Sequence, residues 1–140
     1  MVRESMKINY SELENFYDHL IMLLDSGLPL PKGIRRFGHA VTPMDESMSS
    51  VTVDLSNRPY LVFNVPSSLT QSGNSLTCLV KEFFRALTTR GGMNLHVNVA
   101  YGENEHHIIE SVFKSMGRAL HEATRIDPRV IEVRSSKGIF

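Results

Sequence analysis

An adjacent histidine pair, His106-His107, is followed by Glu110 and then by Lys114. Residues of these types at this spacing can bind metal and move a proton. An α-helix advances roughly 100° per residue, so His106, Glu110 and Lys114 share one face, and His107 stands beside them, a turn from Glu110. Two adjacent imidazoles that diverge in this way cannot easily grip one ion together. They can hold two neighbouring ions, one each, with the carboxylate close by. Imidazole with carboxylate suits Mn, Fe, Co or Zn better than Ca or Mg. Asn104 is a natural N-cap, which puts both histidines in the first turn of a helix. There the positive end of the helix dipole disfavours imidazolium, and both rings are expected to be neutral, the form that binds metal. Lys114 beside dications is expected to have a depressed pKa and to serve as acid or base near neutrality. The bland alternative is a solvated helix face with accidental histidines. Of the other histidines, His121 reads more readily as surface, His39 is undecided, and His96, on the polar face of a strand, looks into a site or into water.

The elements that must position these groups follow from periodicity. Ser11 with Glu14 forms a capping box ahead of Leu13, Phe16, Tyr17, Leu20, Leu23 and Leu24 at helical spacing, and Gly27, Pro29 and Pro31 stop that run. Val51, Val53 and Leu55 alternate with polar residues as a half-buried strand; Asn57-Arg58-Pro59 is a turn and Tyr60 to Val65 a second strand. After a polar loop from Pro66 to Ser75, Leu76 to Arg90 reads as a helix with Leu79, Phe83, Phe84 and Leu87 inward, ended by Gly91-Gly92. Leu95, Val97 and Val99 mark another strand. A last helix, about Glu105 to Arg125, has an apolar arc of Ile109, Val112, Phe113, Met116, Leu120 and Ala123 opposite the histidine face. The order β-β-α-β-α predicts an α+β fold with helices packed on one face of a mixed or antiparallel sheet.

Composition narrows the function classes. The 140 residues, 41% of them hydrophobic, suffice for one domain with a core. Fifteen basic and fifteen acidic residues cancel, so the broad positive field of a nucleic-acid binder is absent and no nucleic-acid partner is expected. The single cysteine, Cys78, leaves no internal disulfide framework. No apolar run approaches the roughly 20 residues of a membrane span, and Met1 to Tyr10 carry no signal-peptide core. A soluble intracellular protein without membrane attachment is expected.

The segment Tyr101–Leu120 (YGENEHHIIESVFKSMGRAL) closely resembles the second-half signature of imidazoleglycerol-phosphate dehydratases, lyases of histidine biosynthesis. The resemblance extends through Lys32–Ala40 (KGIRRFGHA), Pro43–Glu46 (PMDE), Asp54–Tyr60 (DLSNRPY) and the terminal Ser135-Ser-Lys-Gly138. Several separate motifs in the family's order make it specific.

The family is an internal duplication of a small βα unit, and the resemblance implies that residues 32–140 are its second half and residues 1–31 a remnant of the first. It implies two Mn ions per site, with other divalent transition metals as alternatives, held by His106, His107 and Glu110. Glu82 falls where many relatives have a histidine ligand, and Phe16-Tyr-Asp-His-Leu20 resembles a first-half ligand segment, which makes His19 a further candidate. Lys114 matches a proton-transfer lysine. Arg36, Arg58, Ser135, Ser136 and Lys137 match residues that hold the substrate phosphate, a task suited to guanidinium forks and a Ser-Lys turn. The implied reaction is dehydration of imidazoleglycerol phosphate to imidazoleacetol phosphate, in a large homo-oligomer, in the cytoplasm or in the plastid of a plant.

One departure matters. The family's first-half His-His-x-x-Glu run and its N-terminal catalytic glutamate are not found here; Asp25-Ser-Gly27 passes almost directly into Lys32-Gly-Ile-Arg-Arg36. The alternative is therefore a truncated, inactive relative that binds metal or associates with full-length subunits.

Overall fold

A computed structural model of the chain describes residues 33–66, 69 and 76–130. The helix read from Ser11 onward, the unit 1–31, and His19, Ser135, Ser136 and Lys137 lie outside the described residues. Four strands and two helices follow in order: β1 (Phe37–Met44), β2 (Ser47–Asp54), β3 (Tyr60–Asn64), α1 (Leu76–Gly91), β4 (Asn94–Tyr101) and α2 (Glu105–Thr124). They form an α+β layer structure. The sheet runs β1-β2-β4-β3, with β1/β2 and β2/β4 antiparallel and β3/β4 parallel. The sheet is thus mixed, with both helices on one face.

Two features of the sheet go beyond the sequence reading. The turn at Asn57-Arg58-Pro59 does not pair the strands it joins, because β4 inserts between β2 and β3. α1 is the crossover that parallel neighbours require. The other is β1, which apolar alternation does not reveal. Its inward residues are the small Gly38, Ala40 and Thr42, whereas Phe37, His39 and Val41 face out. The strand is inverted in hydrophobicity because α2 presses directly on it. A Cβ on Gly38 would lie 1.9 Å from the Ala119 carbonyl oxygen, so only glycine permits this approach.

The core comprises Val51 and Val53 of β2, Leu95 and Val97 of β4, Phe84 and Leu87 of α1, and Ile108, Val112, Met116, Ala119 and Ala123 of α2. In α1, Leu79 is 67% exposed instead of inward, and Phe83 is half-buried against Phe84 and Phe113. In α2 the buried arc is rotated from the predicted one: Ile108, Ser111, Ser115 and Ala119 are inward while Phe113 is exposed. Polar residues hold those inward places because β2 gives them partners. Ser111 Oγ lies 2.6 Å from Ser49 Oγ, and Ser115 Oγ donates to the Ser49 carbonyl. These hydrogen bonds satisfy groups that would be costly to bury alone.

β1 is an edge strand, and α2 covers part of its free edge. Arg118 donates to the Val41 carbonyl at 2.9 Å, and Glu122 accepts the His39 main-chain N–H at 3.0 Å. Such capping blocks edge-to-edge pairing. No helix among the described residues is long and apolar enough to cross a membrane.

Candidate metal centre

The site assembles where α2 begins and the β1–β2 hairpin turns. Asn104 caps α2 as the sequence predicts, its side-chain oxygen accepting from the main-chain N–H groups of His106 and His107. The helix start is set against the hairpin by Gly102, where a Cβ would meet Ser47 Oγ at 2.5 Å and Ile108 Cγ1 at 2.6 Å. The hairpin itself turns in two residues, Asp45 and Glu46, between the paired Met44 and Ser47. Asp45 takes the left-handed conformation (φ 47°) that aspartate tolerates better than most residues.

The two imidazoles splay, their ring centroids 6.5 Å apart and their planes inclined by 59°. Each faces its own carboxylate. His106 Nε2 lies 3.8 Å from Glu110 Oε2 and its side chain is 75% exposed. His107 Nδ1 lies 2.7 Å from Glu46 Oε2, and its Nε2 lies 3.6 Å from Asp45 Oδ2. Lys114 Nζ lies 2.8 Å from Glu110 Oε1 and 3.7 Å from Met44 Sδ. The helix therefore gathers His106, Glu110 and Lys114 as the spacing predicts. The hairpin adds Asp45 and Glu46, which that spacing could not reveal: an acidic turn has no address until both of its strands are known.

The electrostatics correct one expectation. Glu46 accepts the main-chain N–H of Asn104 and bonds to His107, which together hold its carboxyl down at about 2. In return the hydrogen bond to Glu46 raises the pKa of His107. The helix N-terminus favours a neutral ring, but a carboxylate in direct contact outweighs it. Lys114 lowers the pKa of Glu110 by hydrogen bonding and charge.

Arg36 and Arg58 converge on Asp54. Arg36 engages both carboxylate oxygens, at 2.6 and 3.1 Å, and lies over the Phe37 ring; Arg58 reaches the same carboxylate at 3.8 Å. Two guanidinium groups thus share one negative charge. Glu82 is exposed and pairs with Arg85 one turn along α1. Of the remaining histidines, His39 lies in β1 with Nδ1 2.7 Å from Thr52 Oγ1, His96 is exposed on the helix-free face of β4, and His121 is exposed on α2.

The sequence model for imidazoleglycerol-phosphate dehydratase matches residues 15–120. This chain belongs to that family. A relative named imidazoleglycerol-phosphate dehydratase from Syntrophobacter fumaroxidans is 57% identical over 107 residues, covering 76% of this chain and 54% of its own. One from Halalkalibacterium halodurans is 52% identical over 119 residues, 85% of this chain and 61% of its own. The crystal structure of the Staphylococcus aureus dehydratase aligns with TM-score 0.70 at 38% identity, over 81% of this chain and 67% of that one. The Pyrococcus furiosus dehydratase, solved in complex with (S)-C348, aligns with TM-score 0.71 at 37% identity, over 91% and 70%. The chain spans a little over half the length of the curated dehydratases it matches.

The donor chemistry fits the transition metals that the dehydratase family implies. Imidazole and carboxylate are the right donor classes, and the two rings diverge instead of converging on one point. The number of donors is short: among the described residues, no group of three or more His, Cys, Asp or Glu side chains converges to hold an ion. Four or more ligands are usual for such ions, so an ion held here would need donors beyond those the described residues bring together.

Proposed function

We propose that this chain is a metal-dependent hydro-lyase subunit that dehydrates imidazoleglycerol phosphate to imidazoleacetol phosphate in histidine biosynthesis. The observation that carries the reading is the splayed imidazole pair, each ring beside its own carboxylate, with Lys114 anchored alongside. His106, His107 and Glu110 would hold the metals, with Glu82 and His19 as further candidates. Two bound Mn ions would supply the positive charge that stabilises the substrate imidazole as it loses a proton. Lys114 Nζ, held by Glu110, would deliver or accept the proton. The Arg36–Asp54–Arg58 group carries one net positive charge toward a phosphate, and Ser135, Ser136 and Lys137 would complete the grip. Missing donors would come from other subunits of a large homo-oligomer.

A second reading, an inactive relative that binds metal or joins full-length subunits, rests on the short donor count and the half-length match. An assay of the purified protein for imidazoleacetol phosphate with added Mn, together with metal analysis and sedimentation, separates the two. Turnover by a large assembly supports the first. Stoichiometric metal without turnover supports the second, and no metal at all removes the basis of the first and of the metal-binding form of the second.

A further inference from the structure

We propose that Glu46 is a positioning residue that orients His107 toward metal through Nε2. The inference rests on the metal-binding reading above. The Glu46 carboxylate divides its labour between its two oxygens. Oε1 accepts from the main-chain N–H of Asn104 at 2.8 Å and of Glu103 at 3.3 Å, and from Ser47 Oγ at 3.0 Å. Oε2 lies 2.7 Å from His107 Nδ1. The first set clamps the hairpin turn to the loop that opens α2, so Oε2 stands in a fixed place.

An ionised carboxylate can only accept hydrogen bonds. Nδ1 of His107 must therefore carry a proton, and Nε2 is the nitrogen that gives up its own proton to offer a lone pair to metal. That nitrogen points where Asp45 Oδ2 waits at 3.6 Å, so an ion there would find a second anionic neighbour. A carboxylate that holds the distal nitrogen of a ligating histidine sets its tautomer, its orientation and its basicity. His106 has no such support, since its partner Glu110 is itself a candidate ligand and is shared with Lys114. The two imidazoles are thus unequal, one braced by the hairpin and one free to adjust.

Glutamine at 46 offers one acceptor instead of two; with its oxygen on the clamp, its amide NH2 faces Nδ1 as a donor and favours the tautomer whose proton sits on Nε2, the wrong one for metal. Mn titration of the intact protein, read by electron paramagnetic resonance, should show Glu46→Gln weakening binding about 10- to 100-fold, with the secondary structure of the wild type retained. A measurement without any variant stands beside it. In the Zn-loaded wild type, long-range 1H–15N spectra of the histidine rings should show His107 protonated at Nδ1 and metal-bound at Nε2. Equal Mn affinity in wild type and Glu46→Gln, or metal at Nδ1 of His107, overturns the role of Glu46 and leaves the metal reading standing. A wild type that binds neither Mn nor Zn overturns both.

Discussion

Lys114 Nζ sits 2.8 Å from Glu110 Oε1, and Glu110 is at once the partner of this ammonium and the neighbour of His106. One carboxylate thus joins the group that would move a proton to the group that would hold a metal. The two jobs can be separated by mutation. In Lys114→Met, Glu110 loses its ammonium and is freed for metal, so Mn loading should persist or tighten. Turnover should fall by about 10²- to 10⁴-fold, the usual contribution of a positioned acid or base. Metal content and kcat measured on the same preparation check this; parallel loss of both would contradict it.

The Glu46–His107 contact predicts an acid-sensitive hairpin. Glu46 is held at about 2 against an ordinary 4.5, a depressed carboxyl. Its contribution to stability is therefore fully present above about pH 4.5 and is lost as pH falls toward about 2. His107 has a raised pKa, so its contribution is full below 6.5 and fades as pH rises through that raised value. Urea midpoints of the metal-free protein from pH 2 to 9 should trace both limbs, and Glu46→Gln should flatten them relative to wild type.

Arg36 and Arg58 should differ sharply although both meet Asp54. The Arg36 side chain is 11% exposed and bidentate, whereas Arg58 is 58% exposed at 3.8 Å. Removing Arg36 leaves the partly buried Asp54 carboxylate with only a distant partner, and Arg36→Met should cost about 3 kcal/mol, toward the low end for broken buried pairs. Arg58→Gln should stay within about 0.5 kcal/mol of wild type but raise KM for a phosphorylated substrate. Denaturant unfolding and steady-state kinetics separate the effects.

Two glycines of one contact region should respond with opposite signs. Gly38→Ala drives a methyl into the Ala119 carbonyl and should destabilise by about 1–3 kcal/mol or more, as overpacking does. At Gly117, on the same helix as Ala119, an added Cβ meets nothing within 4 Å. Gly117→Ala should stabilise by about 0.5–1 kcal/mol through helix propensity. Thermal melts of the two variants beside wild type decide it.

Much of the fold could be read from the chain because apolar alternation marks β2 and β4 and helical spacing marks α1 and α2. The candidate site was legible as far as one helix carries it, through Asn104, His106, His107, Glu110 and Lys114. What stayed hidden depends on tertiary contact. Strand β1 turns its small residues inward and Phe37 outward, which no periodicity rule recognises. The α2 arc buries Ser111 and Ser115 because Ser49 happens to stand opposite. The raised pKa of His107 requires knowing that a turn 61 residues away in sequence brings Glu46 against it.

Gly38 and Gly102 bracket α2, one beneath Ala119 and one beneath Ile108. Gly38 lets the sheet reach the main chain of the helix at Ala119, and Gly102 lets the loop close on the Ile108 side chain, so the helix is seated at two points. The bearing on which His106 and His107 leave the surface is then inherited from two missing methyl groups. A lineage could exchange many of the side chains between these points and still aim its imidazoles in the same direction.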